Sequence, residues 1–200
     1  GILVAGAESR VRACRATGWD AHGVVTFAPD AEIRGVRVRD TRDAGILALG
    51  ERTAIDRCRV RGGAGLGIAA FGFSTSIARS TVIDAGSKAI AAGADGIVVD
   101  GCEVRGGGST GIEAGGAGVV LRANHVVEPG GDGILVARDG CRVERNRIAG
   151  AGGHGLHVAS DDNVVARNVS RRNGGLDLHE EPGRSGNTYT DNIARERDVE

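Results

Sequence analysis

Residues 133–154 read GILVARDGCRVERNRIAGAGGH, and residues 155–176 read GLHVASDDNVVARNVSRRNGGL. Aligned at this spacing, both segments open with glycine and an aliphatic residue, carry valine at the eleventh position and asparagine at the fourteenth, and close on a glycine-rich turn. The same 22-residue period runs through the chain, in blocks that begin at Gly1, Gly23, Gly45, Gly67, Ala89, Gly111, Gly133, Gly155 and Asp177. A fixed period of this length is typical of a solenoid, in which each block forms one coil.

Short apolar runs in each block predict short strands. Position two is aliphatic throughout, and positions eleven and sixteen are aliphatic in nearly every block. The runs are bounded by glycine and show no 3.6-residue period that would indicate a helix. We therefore predict an all-β chain in which residues 1–200 form one parallel β-solenoid of nine coils, ending with coil 177–200. A leucine-rich repeat is the alternative, since Ile55, Cys58 and Val60 match half of its consensus, but leucine is scarce.

Position fourteen predicts a buried polar column, because stacked amides satisfy one another along the axis of a solenoid. Its members are Cys14, Val36, Cys58, Ser80, Cys102, Asn124, Asn146, Asn168 and, after a two-residue insertion, Asn192. Three of the four cysteines share this column but stand two coils apart, roughly 9.6 Å by strand spacing, which is too far for a disulfide. Cys141 falls in another column. We therefore expect buried structural thiols.

The balance of 25 basic and 26 acidic residues excludes a strongly basic nucleic-acid binder, so we expect no nucleic-acid partner. No apolar run is long enough to span a membrane, and no signal peptide is visible in a chain that starts at Gly1.

The first strand of each coil should point its third and fifth positions outward. In the first coils these positions are apolar, with Phe27 and Phe71 on either side of Leu49 in column five, and with Leu3, Val25 and Leu47 in column three. An exposed apolar strip usually marks an interface or a ligand groove. We expect either a platform on which sugar rings stack, or a surface that packs against upstream sequence or another chain.

In the last coils the outward face of the first strands is polar. His157 and His179 are predicted neighbours in column three, and Asp132 and His154 are predicted neighbours just before that strand. Asp177 lies beside His179, and Glu113 and Glu181 extend the strip. Carboxylates and imidazoles in mutual reach perform acid–base chemistry or hold a metal. The alternative is that these are ordinary turn and surface residues.

Arginine supplies the remaining signal, because Arg15, Arg37 and Arg59 stack in one column. Guanidinium groups pair bidentately with carboxylates, so such a row suits a polyanion. The alternative is a solvated face.

The glycine–aliphatic start, the Val-x-x-Asn/Cys-x-Val core and the asparagine column resemble the repeat of right-handed parallel β-helix proteins of the pectate-lyase-like superfamily. The resemblance implies a right-handed solenoid, a secreted or periplasmic location and an acidic polysaccharide as partner. The segment Thr17-Gly-Trp-Asp-Ala-His22 is similar to the Tyr-Gly-Phe-Asp-Pro-His signature of mannuronan epimerases, whose tyrosine, aspartate and histidine carry proton transfer at C5. Here threonine replaces the tyrosine, which removes an acid–base group.

Two functions remain open. The first is a polysaccharide lyase or uronate epimerase with His157 and His179 as acid–base groups. Its supporting residues would be Asp132, His154 and Asp177, and its substrate-binding residues would be Phe27, Phe71, Glu113, Arg15, Arg37 and Arg59. The second is a non-catalytic binding or structural solenoid, similar to periplasmic copper-accessory β-helix proteins and favoured by the uniform coil length. The sequence identifies no cofactor and no metal.

Overall fold

The computed structural model describes residues 1–198 as an all-β stack of about nine coils. Each coil contributes three short strands to three parallel sheets, and the described chain contains 28 strands, numbered here in chain order.

The first sheet has ten strands: β1 (Ile2–Val4), β4 (Val24–Thr26), β7 (Ile46–Ala48), β10 (Ile68–Ala70), β13 (Ile90–Ala92), β16 (Ile112–Ala114), β19 (Ile134–Val136), β22 (Leu156–Val158), β25 (Leu178–Glu180) and β28 (Arg197–Asp198). The second has nine: β2 (Arg10–Arg12), β5 (Glu32–Arg34), β8 (Ala54–Asp56), β11 (Ser76–Ala78), β14 (Val98–Asp100), β17 (Val120–Arg122), β20 (Arg142–Glu144), β23 (Val164–Ala166) and β26 (Thr188–Thr190). The third also has nine: β3 (Arg15–Thr17), β6 (Arg37–Arg39), β9 (Arg59–Arg61), β12 (Thr81–Ile83), β15 (Glu103–Arg105), β18 (His125–Val127), β21 (Arg147–Ala149), β24 (Val169–Arg171) and β27 (Ile193–Ala194).

The register of the sheets follows the 22-residue period predicted from the sequence. Ile46 pairs with Ile68, and Ile68 pairs with Ile90. In the last coil Val164 pairs with Thr188, a separation of 24 residues that absorbs the two-residue insertion. Each side chain therefore lies directly above its equivalent in the coil below, and surface columns are read directly from the sequence.

The core consists of the inward columns of all three sheets. Val24, Ile33 and Val38 are fully buried, and the same columns stay buried through most of the rod. In the first coil Ile2, Val11 and Cys14 are only partly buried, because no coil covers them on one side. No helix long and apolar enough to cross a membrane occurs in residues 1–198.

The asparagine column forms the predicted amide ladder. The Nδ2 of Asn124 donates to Oδ1 of Asn146 at 2.9 Å, and Nδ2 of Asn146 donates to Oδ1 of Asn168 at 3.0 Å. The Nδ2 of Asn146 also donates to the Leu121 carbonyl, and its Oδ1 accepts the Asn124 backbone N–H. Each amide is thus fully bonded inside the rod, where an unbonded one would be costly.

The four cysteines are free thiols. Burial raises the pKa of Cys58 and that of Cys102 to about 11, so both are protonated at neutral pH. This agrees with the structural role expected from their column.

Candidate functional site

The polar half of the first sheet brings three imidazoles together. His157 in β22 pairs in register with His179 in β25, and His154 lies in the turn before β22. The rings of His154 and His179 stack with centroids 4.3 Å apart and planes 18° from parallel. The ring of His157 is 5.2 Å from His154 and 5.1 Å from His179. We call His154, His157 and His179 the histidine cluster.

Asp132, in the turn before β19, holds two members of the cluster. Its Oδ2 lies 2.9 Å from Nδ1 of His157, and its Oδ1 accepts the backbone N–H of His154 at 2.7 Å. Burial opposes ionisation of Asp132, but these hydrogen bonds outweigh it, and the pKa of Asp132 is lowered. The Asp132 carboxylate therefore fixes Nδ1 of His157 as a donor and leaves Nε2 as its second titrating atom.

Glu181 faces the other nitrogen of His157. Its Oε1 is 3.4 Å from Nε2, an atom that is shielded from solvent and has no hydrogen-bond partner in residues 1–198. The bond to Asp132 raises the pKa of His157; burial opposes this shift, and the charges of Asp132 and Glu181 reinforce it. Arg184 lies 3.1 Å from Glu181 and, together with His157, lowers the pKa of that carboxyl despite slight desolvation. The two carboxylates thus stabilise the protonated form of His157.

His154 has the opposite electrostatics. Its Nδ1 accepts the backbone N–H of Leu176 at 3.1 Å, so the neutral ring carries its proton on Nε2. Burial and then the neighbouring His179 lower its pKa. Adjacent imidazoles whose pKa values are displaced in opposite directions are typical of acid–base sites.

His179 is the least constrained of the three rings. Its Nδ1 is shielded and has no hydrogen-bond partner in the described chain, and the Asp198 carboxylate is 3.9 Å away. No hydrogen bond within residues 1–198 occupies either ring nitrogen, so Nε2 is available to act as a proton acceptor in the neutral ring.

Small residues make room for these side chains. A Cβ at Gly175 would lie 2.9 Å from Nδ1 of His154, and a Cβ at Gly153 would collide with Oδ1 of Asp132. The glycine pairs in the turns therefore let Asp132 and His154 fold against the backbone of the next coil.

Asp177, which we predicted to support the histidines, makes its hydrogen bonds to other residues. Its carboxylate is buried, and it accepts from Nδ2 of Asn173 at 2.7 Å and from the backbone N–H of Arg195 at 3.0 Å. These bonds tie the last coil to the one below, which is a structural role.

Glu113 is also separated from the histidines. In the register Leu135 stands between Glu113 and His157, and the Glu113 carboxylate forms an ion pair with Lys88. Glu113 thus marks the edge of the polar strip, two coils from His157.

The apolar half of the face is exposed as the sequence predicts. Phe27 is 59% exposed, Leu49 is 37% and Phe71 is 45%, and Leu3 is exposed at the first coil. Val25 and Leu47 are half-buried in column three. The Phe71 ring lies over Gly93, where a Cβ would collide with it. In contrast, Ala69 and Ala91 are buried although they point outward, because a methyl group does not project beyond the adjacent coils.

The structure puts the predicted arginine row on a different sheet. Arg15, Arg37 and Arg59 are register neighbours in β3, β6 and β9 of the third sheet, whereas the aromatic and histidine columns belong to the first. We expected these arginines and the histidines to bind the same sugars, but the two groups lie on different surfaces of the rod.

Thr17 is the last residue of β3, and residues 18–22 lie in the turn between β3 and β4. Trp19 is exposed, and Nδ1 of His22 accepts the backbone N–H of Ala44 at 3.1 Å. His22 and His154 occupy the same column and cap the next coil in the same way. We did not predict this shared role from the sequence, although His22 and Ala44 are 22 residues apart, as are His154 and Leu176.

In residues 1–198, no three His, Cys, Asp or Glu side chains converge as ligands of a metal ion.

Comparison with known proteins agrees with this architecture. The profile of the family described as right handed beta helix region matches residues 1–136 and 72–197. The crystal structure of the periplasmic alginate epimerase AlgG is similar, with a TM-score of 0.52, 12% identity and coverage of 99% of this chain and 62% of that one. Its T265N mutant is matched with a TM-score of 0.36 and 12% identity, over 86% of this chain and 51% of that one.

No curated protein sequence matches closely enough to count as a relative. The present chain spans about 62% of the length of the AlgG structure, and at this identity the likeness concerns the fold. The family profile covers nearly all of the sequence, and the chain belongs to the right-handed β-helix family.

Proposed function

We propose that this protein binds an acidic polysaccharide along the outward face of its first sheet and transfers a proton at C5 of a uronate unit. The observation that carries the proposal is the Asp132–His157 hydrogen bond of 2.9 Å beside the stacked His154 and His179 rings. The fold is similar to that of an alginate epimerase, which supports a polysaccharide as the substrate class.

His179 and His157 have different roles in the proposed reaction. His179 is the base, because no hydrogen bond in the described chain occupies its Nε2, which can accept a proton in the neutral ring. His157 is the acid, because Asp132 and Glu181 stabilise its protonated form. The substrate carboxylate displaces Glu181, whose side chain is 41% exposed, and thereby uncovers the Nε2–H of His157. Neutral His154 offers its Nε2–H to the same carboxylate.

The reaction balances in either of two forms. His179 takes the proton from C5, and the electron pair left on C5 is delocalised into the adjacent carboxylate of the sugar. In elimination the C4–O bond breaks, a C4=C5 double bond forms, and His157 protonates the departing oxygen. In epimerisation His157 returns a proton to the opposite side of C5, so that its Nε2–H bond breaks as the new C5–H bond forms, and no bond to oxygen breaks.

Proton NMR of alginate and of pectate, each incubated with the protein, tests the proposal. We expect olefinic signals from elimination or altered anomeric signals from epimerisation. His157→Ala and His179→Ala should each lower the rate by about 10²-fold or more, the range for loss of a general acid or base. The matched control is His125→Ala, an exposed histidine on the third sheet. Unchanged polymer spectra, or equal rates for all three variants, would contradict the proposal.

A non-catalytic binding solenoid is the second candidate, and one observation favours it. The strands of the first sheet are uniformly short, and the connections between coils keep one length until the two-residue insertion before β26. In the described chain no long loop rises beside the histidine cluster to exclude water, which catalysis ordinarily uses. Polysaccharide binding without any product would support this second function.

A further inference from the structure

The third sheet carries a cluster of arginines that the proposed reaction does not use. Arg15, Arg37 and Arg59 form one outward column, and Arg39 and Arg61 form a second column two residues along the same strands. All five side chains are exposed. We call these five residues the arginine patch.

The five arginines of the patch are neighbours in the register of the third sheet, and none of them has an ion-pair partner in the described chain. Within residues 1–198 none of the five guanidinium groups lies within 4.0 Å of a carboxylate. On the second sheet and its corners the pattern is the reverse, since Arg12 pairs with Glu32 at 2.7 Å and Arg79 pairs with Asp56. Like charges on neighbouring strands repel, so the patch places an unrelieved positive potential on one face of the rod.

The geometry of the patch is linear. Successive arginines in a column are about 4.8 Å apart at the backbone, the spacing of paired strands. A shallow depression of about 180 Å³ lies between the columns and is lined by Arg37, Val38, Arg39, Arg59 and Arg61. A ligand with regularly repeated anionic groups, lying along the rod axis, would meet one guanidinium row on each side.

We infer that the arginine patch is a second binding site, for a linear polysaccharide that bears a carboxylate on successive sugar rings. Arginine pairs with planar carboxylates through two parallel hydrogen bonds, which suits a chain of uronates. Single-stranded nucleic acid is disfavoured, because its binding sites interleave basic groups with aromatic side chains, and the patch columns contain none. The site does not depend on the histidine cluster, since Arg59 and His157 are on different sheets and five coils apart, roughly 24 Å.

Isothermal titration with an oligogalacturonate and with its methyl ester tests this inference. We expect the acid to bind, the neutral ester not to bind, and affinity to fall with added salt. The double variant Arg37→Gln/Arg59→Gln should weaken binding roughly tenfold, as the loss of two exposed ion pairs implies. Arg147→Gln is the matched control, because it is an exposed arginine in the same column of the third sheet. It should bind as wild type does.

His157→Ala separates this inference from the proposed function. Retained binding in that variant, with or without loss of a sugar product, supports an independent site. Equal weakening by Arg147→Gln and by the double variant would overturn the inference, because it would show a general charge effect. Binding of the methyl ester, tighter binding of single-stranded DNA than of the uronate, or no binding of the acid would also overturn it.

Discussion

Asp132 holds His157 from one coil below, with its Oδ2 2.9 Å from Nδ1 of the ring, while its other oxygen accepts the backbone N–H of His154 at 2.7 Å. The Asp132 carboxylate thus contacts both the backbone of the turn and the imidazole that we propose as the acid. The bond to the His154 amide belongs to a capping column that also serves the fold elsewhere, and the bond to His157 sets the charge of the imidazole. The solenoid register makes both possible, because it puts residues 22 and 25 apart in sequence within direct contact.

Replacing Asp132 tests the charge on His157. In Asp132→Asn the hydrogen-bond acceptor remains but the negative charge is lost, so the pKa of His157 should fall toward or below its ordinary value of about 6.5. A ¹⁵N NMR titration of the histidine side chains measures this. Asp139→Asn is the control, because Asp139 caps the Asp161 amide at 3.0 Å in another corner. An unchanged His157 titration in Asp132→Asn would show that Asp132 does not set its charge.

Stability should depend on pH through His157. Because its pKa is raised on folding, its stabilising contribution is complete below about pH 6.5 and is lost as the pH rises through the folded value. The difference in thermal midpoint between wild type and His157→Gln should therefore shrink as the pH increases from about 6 to about 9. A difference that stayed constant or grew over that interval would contradict the assigned direction.

The amide ladder should stabilise the rod. Asn146→Ala removes the hydrogen bonds to Leu121 and Asn168 and leaves buried groups of Asn124 without a partner, at a cost of about 2–3 kcal/mol. Urea unfolding followed by circular dichroism measures the loss. The exposed neighbour Arg147, changed to Gln, should have almost no effect. Equal midpoints for Asn146→Ala and wild type would mean that the ladder contributes nothing.

The aromatic column should contribute to binding rather than to folding. Phe27→Ala and Phe71→Ala remove rings that are 59% and 45% exposed, so the thermal midpoint should hardly change. Each should weaken polysaccharide binding by about 1 kcal/mol, if sugar rings stack on them. Phe73→Ala is the control, since that ring is exposed in a turn outside column five. Loss of binding in Phe73→Ala alone would place the platform elsewhere.

The fold was predictable from the sequence because one register repeats in every coil. Once Ile46, Ile68 and Ile90 are recognised as equivalent, the pairing, the inward columns and the asparagine ladder follow from strand geometry. For the same reason, the sequence predicted that His157 and His179 are neighbours.

Side-chain direction was less accessible. Asp177 and Glu113 are close to the histidines in the column scheme, but one turns inward to Asn173 and the other pairs with Lys88. These outcomes depend on turn conformation, which the period does not encode. We also did not consider on which sheet each column lies. We therefore assigned the arginine row on the third sheet to the same substrate as the histidines on the first sheet.

Proton transfer at C5 of a uronate is tested most directly by deuterium incorporation from D₂O into polyuronate, measured by mass spectrometry after hydrolysis to sugars. This measurement detects exchange even when no net product accumulates. With wild type and with His125→Ala we predict deuterium at C5 if the protein epimerises, or a C4=C5 unsaturated product if it eliminates, and in either case a loss of about 10²-fold or more with His179→Ala. Absence of both deuterium at C5 and an unsaturated product with wild type, under conditions where the polymer is bound, would contradict proton transfer and leave a non-catalytic binding solenoid.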